Sequence, residues 1–283
     1  MCNALQQSGG MKMYKLIATD LDETLLNDKH QVGIANYQAI QKATAKGVRI
    51  VPATGRGFMA VQNILAELDL KDKPNEYVLS FNGAVLTENK DNNIIYFEGI
   101  SFEKAKELFE FGLTKDVCIR VQTATDIYAY NLNDNERQRF DDQGTAIIEC
   151  TEPTIDFLAT EPISKIVYQN LDVPYLMSFE EEMHPITDGQ ISISYSSNRY
   201  MELNKIGIDK GQTLLHLADL LAIKPEEIIV AGDNYNDISM LKVAGLSVAA
   251  HNAVEEVKTL CDYICDNDNN QGVLAEIIEK FIL

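Results

Sequence analysis

The stretch that organises this chain is "YKLIATDLDETLL", residues 14–26. Its first six residues are mostly apolar and read as a short buried strand. Two carboxylates, Asp20 and Asp22, follow directly. Ligands of an open α/β sheet bind just beyond a strand's carboxyl end, so both acids stand at a favoured position. The spacing lets Asp20 and Asp22 turn toward one point while Leu21 points away. Taken alone, an Asp-x-Asp of this kind is a turn with two solvated acids. A second stretch, "IIVAGDNYND" at residues 228–237, alters that reading, because it too places acids at the end of an apolar strand. Like charges converging at one sheet edge repel unless a cation neutralises them. Oxygen donors favour Mg²⁺ over a soft metal.

Outward from these two stretches, strand and helix patterns alternate. An amphipathic segment near residues 34–46 precedes the strand "VRIVPAT" (48–54). A helix near 58–68 precedes the strand "EYVLSF" (76–81). After residue 207 the rhythm returns, with helices near 210–221, 238–244 and 273–281 and strands at 228–232 and 246–250. Strands apolar throughout and separated by helices predict a parallel sheet covered on both faces. The middle of the chain differs: hairpin patterns around "NKDNN" (89–93), at 117–131 and at 190–203 suggest a separate α+β unit. The expected architecture is therefore α/β, a Rossmann-like parallel-sheet core built from residues 13–83 and 204–283. A second, smaller α+β cap domain, residues 84–203, is inserted into it. The polar opening "MCNALQQSGG" lacks an apolar signal core and reads, over residues 1–12, as a disordered leader.

Composition narrows the function classes. Against 24 Lys and Arg stand 43 Asp and Glu, a net charge of −19. That field repels nucleic-acid backbones, and no basic patch offsets it. Phosphate chemistry on such a chain depends on a metal and a few placed cations. The cysteines, Cys2, Cys118, Cys150, Cys261 and Cys265, are odd in number and scattered, as in a reduced cytoplasmic protein. No apolar run is long enough to span a bilayer. The expected partners are small phosphate esters, with no nucleic acid or membrane, for a monomer or weak homodimer.

Four segments in order carry a resemblance: "DLDETL" at 20–25, "ATGR" at 53–56, Lys210 within "IDKG", and "GDNYNDISML" at 232–241. With them the chain resembles the haloacid dehalogenase superfamily, in its Cof-type sugar-phosphatase-like branch with a large cap between the second and third motifs. The resemblance implies a Mg²⁺-dependent phosphomonoester hydrolase. Asp20 would attack phosphorus and become an aspartyl phosphate, and Asp22 would act first as general acid and then as general base. Phosphate would be held by Leu21, Thr54, Gly55, Lys210 and Asn236. The metal would be held by Asp20, by Asp22 through its main-chain carbonyl, and by Asp233. Asp237 would either ligate the metal or orient Lys210 or a metal-bound water. Arg56, Asn82 and Asn252 are candidates for substrate or hinge contacts; for Arg56 a structural salt bridge is an equal alternative. Glu23 departs from the Gly of many relatives and is expected to face the cap or solvent. Two rivals stand beside phosphatase: a phosphomutase of the same superfamily, and a sensor that binds phosphorylated ligands without turnover.

Overall fold

A computed structural model describes residues 13–143 and 145–283; the expected leader of residues 1–12 lies outside the described residues. In chain order the strands are β1 (Leu16–Thr19), β2 (Arg49–Pro52), β3 (Tyr77–Ser80), β4 (Val85–Glu88) and β5 (Asn93–Phe97). Then come β6 (Cys118–Thr123), β7 (Ile127–Tyr130), β8 (Ile148–Glu149), β9 (Ile163–Gln169), β10 (Ile191–Ser196) and β11 (Tyr200–Lys205). The series ends with β12 (Ile228–Gly232), β13 (Leu246–Ala249) and β14 (Tyr263–Ile264).

The core sheet runs β14-β13-β12-β1-β2 and is parallel throughout. β1 is buried along its whole length, and its side chains serve two apolar layers in alternation. Ile17 enters one layer, which also holds the faces of the helices Ile34–Ala45 and Val273–Phe281; Leu16 and Ala18 enter the other, with the helix Lys210–Leu220. This is why the strands read as continuous apolar runs: each face of the sheet has its own cover. The register is level at the carboxyl edge, with Thr19 opposite both Ala231 and Pro52. Asp20, Asp233 and the Ala53–Thr54 turn therefore leave the sheet side by side.

β3 touches β2 through a single parallel bridge, Ala53 with Leu79, and then pairs antiparallel with β4, which pairs with β5. The sequence placed β3 in the parallel sheet and the following hairpin in the insert. The hairpin instead continues the core: Val78 and Val85 join one apolar layer, Leu79 and Leu86 the other. The polar "NKDNN" turn marks a hairpin in either domain, and only the pairing with β3 decides between them. We therefore set the junctions of the insert near residues 98–100 and 205–208.

The insert is a six-stranded sheet, β10-β11-β9-β6-β7-β8, antiparallel except for β7 with β8. The helix Phe102–Leu113 covers one face, burying Ala105, Leu108, Phe109 and Gly112 at the spacing of one helical stripe. Ser101 caps it by accepting from the Lys104 N–H at 3.3 Å. The helix Asp134–Gln143 was not visible in the sequence, because "DNERQRFDDQ" has no apolar period. It is held through a buried polar contact: the Tyr200 hydroxyl lies 3.0 Å from Glu136, and Arg120 lies 3.7 Å away. At the junction, Glu98 pairs with Lys205 and so ties the two crossing segments together. No helix among the described residues is long and apolar enough to cross a membrane.

Candidate active site

Carboxylate oxygens of Asp20, Asp233 and Asp237 all lie within 4.8 Å of one another, and all three residues are buried. Lys210 reaches into this group from the first turn of its helix. Its Nζ is 2.5 Å from Asp20 Oδ1 and 2.7 Å from Asp237 Oδ1, and its side chain is fully buried. The helix start is set by Asp209, whose side chain accepts from the Gln212 N–H at 2.9 Å. Lys205, the other lysine near this point in the sequence, is spent on Glu98.

Gly83 makes the approach of that helix possible. Its φ is +101°, and a Cβ there would sit 2.3 Å from the Asp209 carbonyl oxygen. The Gly83 carbonyl in turn accepts from the Thr213 hydroxyl at 2.6 Å. A side chain at residue 83 would push away the helix that carries Lys210.

Asp237 accepts hydrogen bonds at both of its oxygens. One oxygen takes Lys210, and the other accepts from the backbone N–H of Asp233 and Asn234, at 3.0 and 3.1 Å. It ties the loop to the ammonium, and it also belongs to the carboxylate group that could hold a metal ion. Asp233 accepts from the Thr24 hydroxyl at 2.7 Å. Among the described residues, one oxygen of Asp20 and one of Asp233 then have no protein donor. Thr24 did not stand out in the sequence; its only signal was its place inside "DLDETL".

The electrostatics follow from crowding and dryness. Burial raises the Asp20 carboxyl well above the usual carboxylate range; Lys210 opposes the rise, and Asp237 and Asp233 add to it. Burial likewise pushes Asp233 up to about 7, against the Thr24 hydrogen bond and with the repulsion of Asp237 and Glu23. Burial works to lower the Lys210 pKa, but the charges of Asp20 and Asp237 outweigh it and hold the ammonium above its ordinary value. Ionising all three buried carboxyl groups against one ammonium would leave net negative charge in a dry site, which is why the pKa values of Asp20 and Asp233 rise without a further cation. Hard oxygen donors in that state fit a hard divalent cation.

The Asp22 carboxylate does not turn toward the same point as that of Asp20, contrary to what the spacing suggests. It turns to Arg56, which donates through Nε at 2.9 Å and through Nη2, and it lies 3.5 Å from His30 Nδ1. The side chain of Asp22 is therefore outside the carboxylate cluster. The Leu21 side chain is buried in the core. Glu23 is exposed and has φ +61°, a left-handed backbone that suits glycine and accounts for the fit of Gly at this point.

Thr54 is buried beside the end of β2, and its hydroxyl accepts from the Arg56 N–H at 3.0 Å. Gly55 lies under Asn82, whose Oδ1 would be 3.1 Å from a Cβ there. Asn236 donates to the same Asn82 oxygen at 3.2 Å, so these two residues meet across the site. Asn252 serves the loop instead: it donates to the Glu23 carbonyl at 2.7 Å and accepts from the Asn269 N–H at 3.1 Å. Both ends of its amide are thus engaged in linking the loop at Glu23 to Asn269.

The profile of haloacid dehalogenase-like hydrolases matches residues 17–277. Phosphatase YwpJ of Bacillus subtilis is 30% identical over 289 aligned positions, covering 92% of this chain and 97% of that protein. The crystal structure of a haloacid dehalogenase-like hydrolase from Bacteroides thetaiotaomicron superposes with a TM-score of 0.83 at 31% identity, covering 94% of this chain and 99% of the other. The sugar phosphatase BT4131, of subclass IIB, superposes with a TM-score of 0.76 at 25% identity over 94% and 98%. With Asp20, Lys210 and the 233–237 loop joined at the carboxyl edge of a parallel sheet and an α+β cap inserted, this chain belongs to the haloacid dehalogenase-like hydrolases and is built as a phosphatase.

Proposed function

We propose that the protein is a Mg²⁺-dependent phosphomonoesterase that acts on small phosphorylated metabolites, sugar phosphates foremost, through an aspartyl phosphate on Asp20. The observation that carries this reading is the buried Asp20–Lys210–Asp237 group with Asp233 beside it. Asp20 and Asp233 each have a carboxylate oxygen to offer a cation, and Asp22 has its main-chain carbonyl. Mg²⁺ held there would supply positive charge next to the phosphoryl group and reduce its repulsion from Asp20.

The protein's own groups divide the remaining work. An Asp20 oxygen attacks phosphorus while the leaving alcohol departs with a proton from Asp22. Water then attacks the phosphorus of the aspartyl phosphate, the bond to Asp20 breaks, and Asp22 takes the water's proton. Lys210 offsets charge that develops on the phosphoryl oxygens, in a site dry enough for that charge to count. Thr54, Asn236 and the backbone of Leu21 and Gly55 hold the same oxygens. The cap excludes water and meets the leaving group. The sugar-phosphate preference is supported by the likeness to sugar phosphatase BT4131, which shares the cap as well as the core.

A panel of phosphomonoesters, assayed with Mg²⁺ and with a chelator, tests the reading. Release of phosphate that requires Mg²⁺ and is fastest on sugar phosphates is expected, and Asp20→Asn abolishes it while leaving the thermal transition in place. Undiminished turnover by Asp20→Asn would remove the nucleophile from the scheme.

A further inference from the structure

We infer that Arg56 is a positioning residue, which fixes the Asp22 carboxylate for the water-activating half of the reaction; this rests on the phosphatase reading above. The geometry is that of a fork. Arg56 donates to both oxygens of Asp22, through Nε at 2.9 Å to Oδ2 and through Nη2 to Oδ1. Such paired bonds fix the plane of a carboxylate as well as its place, so the direction in which its oxygens can exchange a proton is set.

The platform under the fork is stiff. The Arg56 N–H donates to the Thr54 hydroxyl at 3.0 Å, and the Arg56 carbonyl accepts from the Phe81 N–H at 3.0 Å. The Arg56 backbone is thus tied to the turn that carries the proposed phosphate contacts, and its guanidinium reaches from there to Asp22. A purely structural purpose explains the pair poorly. The two side chains are 32% and 41% exposed, and ion pairs that wet contribute only about 0–1 kcal/mol to stability. The same exposure leaves Asp22 open to an incoming water.

The step in question is the second one. A water oxygen forms a bond to phosphorus, the phosphorus–oxygen bond to Asp20 breaks with its electron pair returning to Asp20, and the water proton passes to Asp22. General acid–base catalysis of this kind is worth about 10²–10⁴-fold. Misplacing the base forfeits part of that range.

The experiment follows decay of the phosphorylated chain, trapped by acid quench after mixing with a radiolabelled phosphomonoester and Mg²⁺. Four proteins are compared: wild type, Arg56→Ala, Asp22→Asn and the double variant. Arg56→Ala is expected to slow decay at least about tenfold, within the acid–base range. In the Asp22→Asn background the same change is expected to add less than about twofold, since residues acting as a unit are not additive. Arg56→Lys, which keeps charge and loses the fork, is expected to stay slow. Equal slowing by Arg56→Ala in both backgrounds overturns the inference and leaves the phosphatase reading intact. A raised KM with unchanged decay does the same, since it marks a substrate contact. A wild-type chain that takes no label and releases no phosphate overturns both.

Discussion

Replacing Lys210 by Met tests how the buried site is held together. The ammonium contacts Asp20 at 2.5 Å and Asp237 at 2.7 Å, and no part of its side chain is exposed. Removing it leaves two buried carboxylates facing each other, with Asp233 within 4.8 Å. Breaking a buried pair from one side typically costs about 3–5 kcal/mol, because the remaining charge stays dry and unpaired. At about 2–4 °C per kcal/mol for a protein of this size class, the melting point should fall on the order of 10 °C. The pH sign is fixed by the raised pKa of Lys210: its contribution is complete below the unfolded value of 10.5 and is lost as pH rises through the higher folded value. A comparison at neutral pH therefore reads the full effect. The assay is calorimetry of wild type and Lys210→Met in chelator, repeated with Mg²⁺, which should narrow the gap. Adding Asp237→Asn should recover part of the loss by removing one orphaned charge. If Lys210→Met melted within about 2 °C of wild type in chelator, less than 1 kcal/mol would be at stake. The ammonium would then not be what neutralises these carboxylates.

Three further outcomes are expected. Gly83→Ala should lower both stability and turnover, by at least about 2 kcal/mol and tenfold, because a Cβ at φ +101° meets the Asp209 carbonyl ahead of Lys210; calorimetry and a phosphate-release assay check it. Glu23→Gly should stabilise the protein by about 1 kcal/mol or less, since it relieves a left-handed backbone at φ +61°, and urea unfolding measures it. In the cap, Glu202 is held down to about 2: burial alone would raise it, but the Lys165 charge and hydrogen bonds outweigh burial. A depressed carboxyl stabilises above its unfolded pKa of 4.5 and loses that contribution as pH falls toward 2. The stability gap between wild type and Glu202→Gln should therefore be on the order of 3 kcal/mol at pH 7 and close by about pH 2, as read by urea titrations across that range.

Much of the core was legible because burial leaves a local trace. β12 lies at residues 228–232 as read, and the helix at residues 273–281 matches its expected bounds. The placement of Asp20 and Asp233 followed from strand ends alone. Elements whose burial is polar left no such trace: the helix Asp134–Gln143 is anchored by Glu136 on Arg120 and Tyr200, and its sequence looks like surface. The hairpin at 85–97 was visible, but its allegiance was not, because alternating apolar residues suit either unit.

What the sequence by itself determined was the strand–helix order, the acids at two strand ends, and the lysine at a helix start. Each of these is written in a short local period or in the residue that breaks it. Only the tertiary structure decided that Asp22 faces Arg56, that Asn252 braces the loop at Glu23, and that Thr24 supports Asp233. Those pairings join segments far apart in the chain. They depend on the level register of β1, β2 and β12 and on side-chain rotation at their ends, which no local pattern of residues encodes.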